Sequence, residues 1–118
     1  MKLTGTLGML GQEVHEIAME KGFWSTEKDR SDENKLLLIV EEVLEANREL
    51  RHHHARTEVY YQQDNNGNQE PKGLPVELAD VIIRVLDYCA AHGIDIDQVV
   101  FEKVKYNRTR SFKHDRVT

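Results

Sequence analysis

The chain has one cysteine, one tryptophan and no apolar run longer than a few residues. Each shortage excludes something. A single thiol, Cys89, cannot form an internal disulfide, which fits a reducing, cytoplasmic setting. The longest greasy stretches, LLLIV and VII, are far too short to span a bilayer. No continuous apolar segment follows Met1 and Lys2, so no signal peptide is expected. Excess positive charge is also missing. With a formal net charge of -5, the chain is a poor candidate for a nucleic-acid polymer or an anionic membrane surface. Internal repeats and low-complexity segments are absent as well. What remains is 118 residues, 39% hydrophobic and 31% charged, the profile of one globular domain that leans on oligomer contacts.

The apolar residues recur at helical spacing. Leu3, Leu7, Leu10, Val14 and Ile17 predict a first helix ending near residue 21, closed by Gly22. After the polar stretch FWSTEKDRSDEN, Ser31 or Asp32 can cap a second helix running to about residue 54. Leu36 to Val40 make its start apolar nearly all round, as in a buried bundle helix. Residues 57–73, with DNNGN and EPKG, read as a long polar loop, with a short extended piece around EVYY. Pro75 and Gly93 suit the start and end of a third helix, whose core stripe is Leu78, Val81, Ile82, Val85, Leu86 and Cys89. Asp95 and Gln98 form a capping box for a fourth helix to about residue 108, with Val99, Val100, Val104 and Tyr106 facing inward. The tail RTRSFKHDRVT is basic and irregular. The expected fold class is all-α: a single-domain, four-helix bundle with one long loop between helices 2 and 3.

Two carboxylate pairs interrupt the greasiest sequence. VEEVLEA carries Glu42 and Glu45, and VELADVIIRVL carries Glu77 and Asp80. Residues three apart share a helix face, so each pair concentrates negative charge. Read from the residues alone, such pairs suit either a solvated face or a site for a hard divalent cation, which prefers oxygen ligands. Two pairs embedded in apolar helices that must pack together strengthen the case for the cation and leave both readings open.

The order of four stretches resembles a known family. HEIAMEKGFW (15–24), EExxE at 41–45, ELADVIIRVLDYCAAHGID (77–95) and EKVKYNRTR (102–110) together look like the MazG-like all-α nucleoside triphosphate pyrophosphohydrolase superfamily. The resemblance covers most of the chain outside residues 51–73. Two departures stand out: 31 residues separate Glu45 from Glu77, and Ser111 occupies a position where proline is usual. The resemblance implies Mg²⁺, with Mn²⁺ as an alternative, held by Glu42, Glu45, Glu77 and Asp80. Glu41 would at most support them from behind. Glu42 and Glu45 become the catalytic carboxylates, Glu45 orienting or deprotonating the attacking water. The reaction implied is attack at the α-phosphorus of a (d)NTP, giving (d)NMP and pyrophosphate, in nucleotide-pool house-cleaning.

Substrate contacts follow from the same likeness. Lys103, Asn107 and Arg110 would hold phosphates, while Arg108 equally suits the helix dipole. His15 and Trp24, nine residues apart, would line the base pocket. Without the resemblance they read as a surface histidine and a core or interface aromatic. The implied assembly is a homodimer or dimer of dimers. Among rivals, a di-iron carboxylate bundle needs two Glu-x-x-His motifs, and only Glu49–His52 is present. The adjacent His52, His53 and His54 point different ways and form a polar helix end. A phosphoribosyl-ATP pyrophosphohydrolase fits the first helix less well. A non-catalytic helical interaction module has no need of both the carboxylates and the Lys103/Asn107/Arg110 set.

Overall fold

The computed structural model describes residues 5–52 and 54–112. Leu3, His53 and the end of the basic tail lie outside them. Four helices form: α1 (Leu7–Glu20), α2 (Asp32–Glu49), α3 (Leu74–Ala91) and α4 (Ile96–Thr109). Between α2 and α3 the chain makes a two-stranded antiparallel hairpin, β1 (Tyr60–Gln63) and β2 (Gln69–Lys72). The fold is therefore mostly helical rather than purely so. The stretch read as loop pairs Tyr60 with Lys72 through Gln63 with Gln69, because DNNGN closes a compact turn. There Asp64 accepts from the backbone N–H groups of Asn66 and Asn68, a side-chain mimic of a backbone turn.

Local chemistry explains most of the boundaries. The Thr6 hydroxyl accepts from Met9 N–H and starts α1, and Ser31 does the same for α2 through Asn34. Gly22, at φ 86°, takes the left-handed conformation that lets the chain leave α1. Asp95 accepts from Gln98 N–H to open α4, but the Gln98 amide turns to Glu102, so only half of the capping box forms. A second cap was not legible in sequence. The Asp97 carboxylate accepts from Leu7 and Gly8 N–H, so α4 supplies the missing acceptors at the start of α1. α2 stops at Glu49, earlier than residue 54. There Tyr60 and His52 engage the Glu49 carboxylate, and His52 and His54 lie beyond the helix.

α3 is the hub: α1 and α2 both pack on it, while α4 touches α1 lightly. Gly11 allows α1 to approach closely, since a Cβ there would meet the Leu86 carbonyl at 3.2 Å. The core is thin, with Val14, Ala46, Leu86 and Cys89 buried. Burial pushes the Cys89 thiol up, as suits an inert core cysteine. Much of the expected interior faces outward. Leu78 and Ile82 of the α3 stripe, Leu36, Leu37, Val40 and Leu44 of α2, and Val99, Val100, Val104 and Tyr106 of α4 are all exposed. The radius of gyration is 16.6 Å, against about 13.5 Å for a compact chain of this length. The accessible surface is 9384 Å², against about 6,600 Å² for a typical monomer of this mass. Helical periodicity locates apolar faces correctly but says nothing of whether the same chain covers them.

Candidate functional site

Where α2 and α3 pack, Glu42, Glu77 and Asp80 converge. One ligand oxygen from each lies within 4.8 Å of the others, and all three residues are half-buried. Glu77 stands in the first turn of α3, where the helix dipole favours an anion. That help is outweighed. Burial, with the charges of Asp80, Glu42, Glu45 and Glu49, pushes the Glu77 carboxyl above its ordinary range. Burial and the Glu42 charge raise Asp80 likewise, against a lowering pull from Arg84. Such a cluster is under electrostatic tension that a cation relieves. The donor set is all oxygen, the preference of Mg²⁺.

Arg84, four residues after Asp80, already engages the cluster, its Nε donating to Glu42 at 2.8 Å. Glu45 lies outside the trio, in an exposed ion pair with Arg48, although close enough for its charge to act on Glu77. Glu42 and Asp80 also border a cavity of about 420 Å³. Its other walls are Val14, Ile17, Ala18 and Phe23 on one side and Ile83, Arg84 and Asp87 on the other. A largely apolar slot with a few convergent charges is the common form of a small-molecule site.

His15 and Trp24 come together, but as supports rather than walls. Their rings meet edge to face at 5.2 Å, and neither borders the cavity. Both donate to Asp87: His15 Nδ1 to Oδ1 at 2.7 Å, and Trp24 Nε1 to Oδ1 and Oδ2 at 3.1 and 3.0 Å. With Asp87 accepting, His15 carries its hydrogen on Nδ1. Lys35 sits 3.9 Å over the indole and donates to the Phe23 carbonyl at 2.5 Å. Its burial draws its pKa down, against the charge of Asp87. Trp24 is therefore occupied on one face by an ammonium and tied at its N–H.

The residues expected to hold phosphates are not brought to the carboxylates within one chain. Lys103, Asn107 and Arg110 lie on or just after α4, which does not border the cavity. The Lys103 ammonium and the Arg110 guanidinium flank the Tyr106 ring at 5.0 and 5.6 Å. Asn107 Oδ1 is buried without a hydrogen-bond partner. Glu49 and His52 meet beside the hairpin, where Tyr60 donates to Glu49, and the carboxylate trio, the cluster found among the described residues, contains no histidine.

Sequence reading missed Arg84 and Asp87. The available signal was spacing: residues 80, 84 and 87 fall on one helical face, and both charges interrupt the stripe that continues to Cys89. Among the described residues no helix is long and apolar enough to cross a membrane. No protein-family model, no curated protein and no solved structure matches this chain.

Proposed function

We propose that this chain is a Mg²⁺-dependent nucleoside triphosphate pyrophosphohydrolase of the MazG-like kind, working as a homo-oligomer. The observation that carries the reading is the convergence of Glu42, Glu77 and Asp80 beside a partly apolar cavity large enough for a nucleotide. Glu42, Glu77 and Asp80 would hold the metal, with Glu45 joining them on leaving Arg48. Bound there, Mg²⁺ neutralises phosphate oxygens and acidifies water. Glu45 positions the water for attack at the α-phosphorus. Arg84, which donates to Glu42, would be the guanidinium available to a phosphate oxygen.

Self-association belongs to the same reading. The chain's excess surface and the bare apolar faces of α2, α3 and α4 support burial against a second copy. Such packing would bring Lys103, Asn107 and Arg110 of α4 to a neighbouring copy's carboxylates. The test is pyrophosphate release from a panel of nucleoside triphosphates, in Mg²⁺ and in EDTA. Metal-dependent release, reduced at least about hundredfold in Glu42→Gln or Asp80→Asn, supports the reading. A folded, metal-supplied protein that releases nothing from any nucleotide overturns it.

A further inference from the structure

Asp87 is a charged group in the cavity that metal binding and hydrolysis leave unused. It is buried, at 9% exposure, yet it forms part of the cavity wall. Its neighbours hold it rigidly. His15 Nδ1 and Trp24 Nε1 engage Oδ1, and the same indole N–H reaches Oδ2. A carboxylate has about four acceptor positions. The protein supplies two hydrogens to them, the indole N–H being shared between both oxygens, so Oδ2 keeps room for a further donor. A buried acceptor with spare capacity beside an open cavity is suited to reading an N–H on whatever enters.

Distance along the helix names the part of the ligand that arrives there. Asp80 and Asp87 are seven residues apart on α3 and share a face with Arg84. At the α-helical rise this places them about 10.5 Å apart along the axis. A nucleoside monophosphate spans that length from its phosphorus to the far edge of its base. Val14, Ile17, Ala18, Phe23 and Ile83 line the space with apolar surface, as a flat ring requires.

We propose that Asp87 is a specificity-determining residue that accepts a hydrogen bond from the exocyclic amine of a nucleobase. The inference rests on the nucleotide reading above and narrows it to amino-bearing bases. A base with a carbonyl at that position sets acceptor against acceptor and leaves Oδ2 with the shared Trp24 N–H alone. His15 and Trp24 act through Asp87 as positioning residues and do not stack on the base.

The experiment compares CTP with UTP, and ATP with ITP, pairs in which an amine is exchanged for a carbonyl. The wild-type protein is expected to favour the amino member of each pair by about ten- to hundredfold in kcat/KM. Asp87→Asn presents an amide N–H beside its carbonyl and brings that ratio close to one or inverts it. Equal use of both members by the wild type overturns the proposal, as does a preference that survives in D87N. Should D87N lose its helical circular dichroism, wild-type binding of cytidine and uridine 5′-monophosphates in Mg²⁺ decides: tighter cytidine binding supports the assignment and equal binding overturns it. Absence of metal-dependent hydrolysis from every nucleotide overturns the enzyme reading alone. In that case unequal monophosphate binding that is lost in D87N still carries the assignment of Asp87.

Discussion

Replacing Asp80 by asparagine should make the metal-free protein more stable while removing its response to metal. The argument starts from the cluster's geometry. Two unit charges 4.8 Å apart, the outer limit within the trio, repel by about 0.9 kcal/mol in bulk water and about 3.5 kcal/mol at an effective dielectric of about 20. The trio is half-buried, so a pair at that limit lies between these bounds and a closer pair repels more. Asp80 repels Glu42 and Glu77 but also feels Arg84, which offsets part of the gain. Removing its charge should therefore stabilise the EDTA-treated chain by about 1–2 kcal/mol, raising Tm by about 4–8 °C for a domain of this size. The wild type behaves oppositely. Mg²⁺ at a hundred times its Kd adds about 2.7 kcal/mol to the wild type, a rise of about 10 °C. In D80N that rise should nearly vanish. The pH dependence has a definite sign. Glu77 and Asp80 are raised above their ordinary values, so between the ordinary and the raised values the folded state binds more protons than the unfolded state. Their contribution to stability is fully present below the ordinary carboxylate range and is lost as pH rises through the raised values. Metal should flatten this slope. Differential scanning fluorimetry with EDTA, Mg²⁺ and a pH series reads all three effects. A D80N protein that is less stable in EDTA, or that still gains stability with Mg²⁺, would refute the electrostatic account of the cluster.

Other perturbations probe the supports. Trp24→Phe keeps an aromatic ring but removes the N–H shared by both Asp87 oxygens, and it should cost about 1–2 kcal/mol in urea unfolding. Gly73→Ala should cost about 1–3 kcal/mol in the same assay. Its φ of 119° suits glycine, and a Cβ there would stand 2.4 Å from the Glu58 carbonyl oxygen. Pairing Leu37→Arg with Leu44→Arg places charge on the bare face of α2 and should convert an oligomer to monomer in light scattering, with helical content retained.

Much of the architecture was legible because its causes are local. Ser31, Asp95 and Pro75 mark helix starts through their own backbone chemistry, and Gly22 marks an exit by accepting a left-handed φ. The pairing of Glu42 with Glu77 and Asp80 followed from periodicity once two helices had to pack. The hairpin was less visible. Its strands are short and polar, and they form only because the Asp64 turn brings Tyr60–Gln63 back against Gln69–Lys72. The end of α2 was misread because its terminus is set by a partner eleven residues further on, the Tyr60 hydroxyl at Glu49.

The sequence by itself determined the four helices, the Ser31 and Asp95 caps and the faces that carry the carboxylates, since these depend on residues three or four positions apart. Tertiary structure alone decided what each charged group meets. It gave Asp87 to His15 and Trp24, residues 72 and 63 positions away, and made them its supports. It set Arg84 against Glu42 across the α2–α3 contact and left Glu45 with Arg48. It kept α4, with Lys103 and Asn107, away from the cavity. The physical reason is range. Backbone hydrogen bonds and helical periodicity act within a few residues, whereas burial, ion pairing and cavity shape depend on how separate helices come to lie against one another.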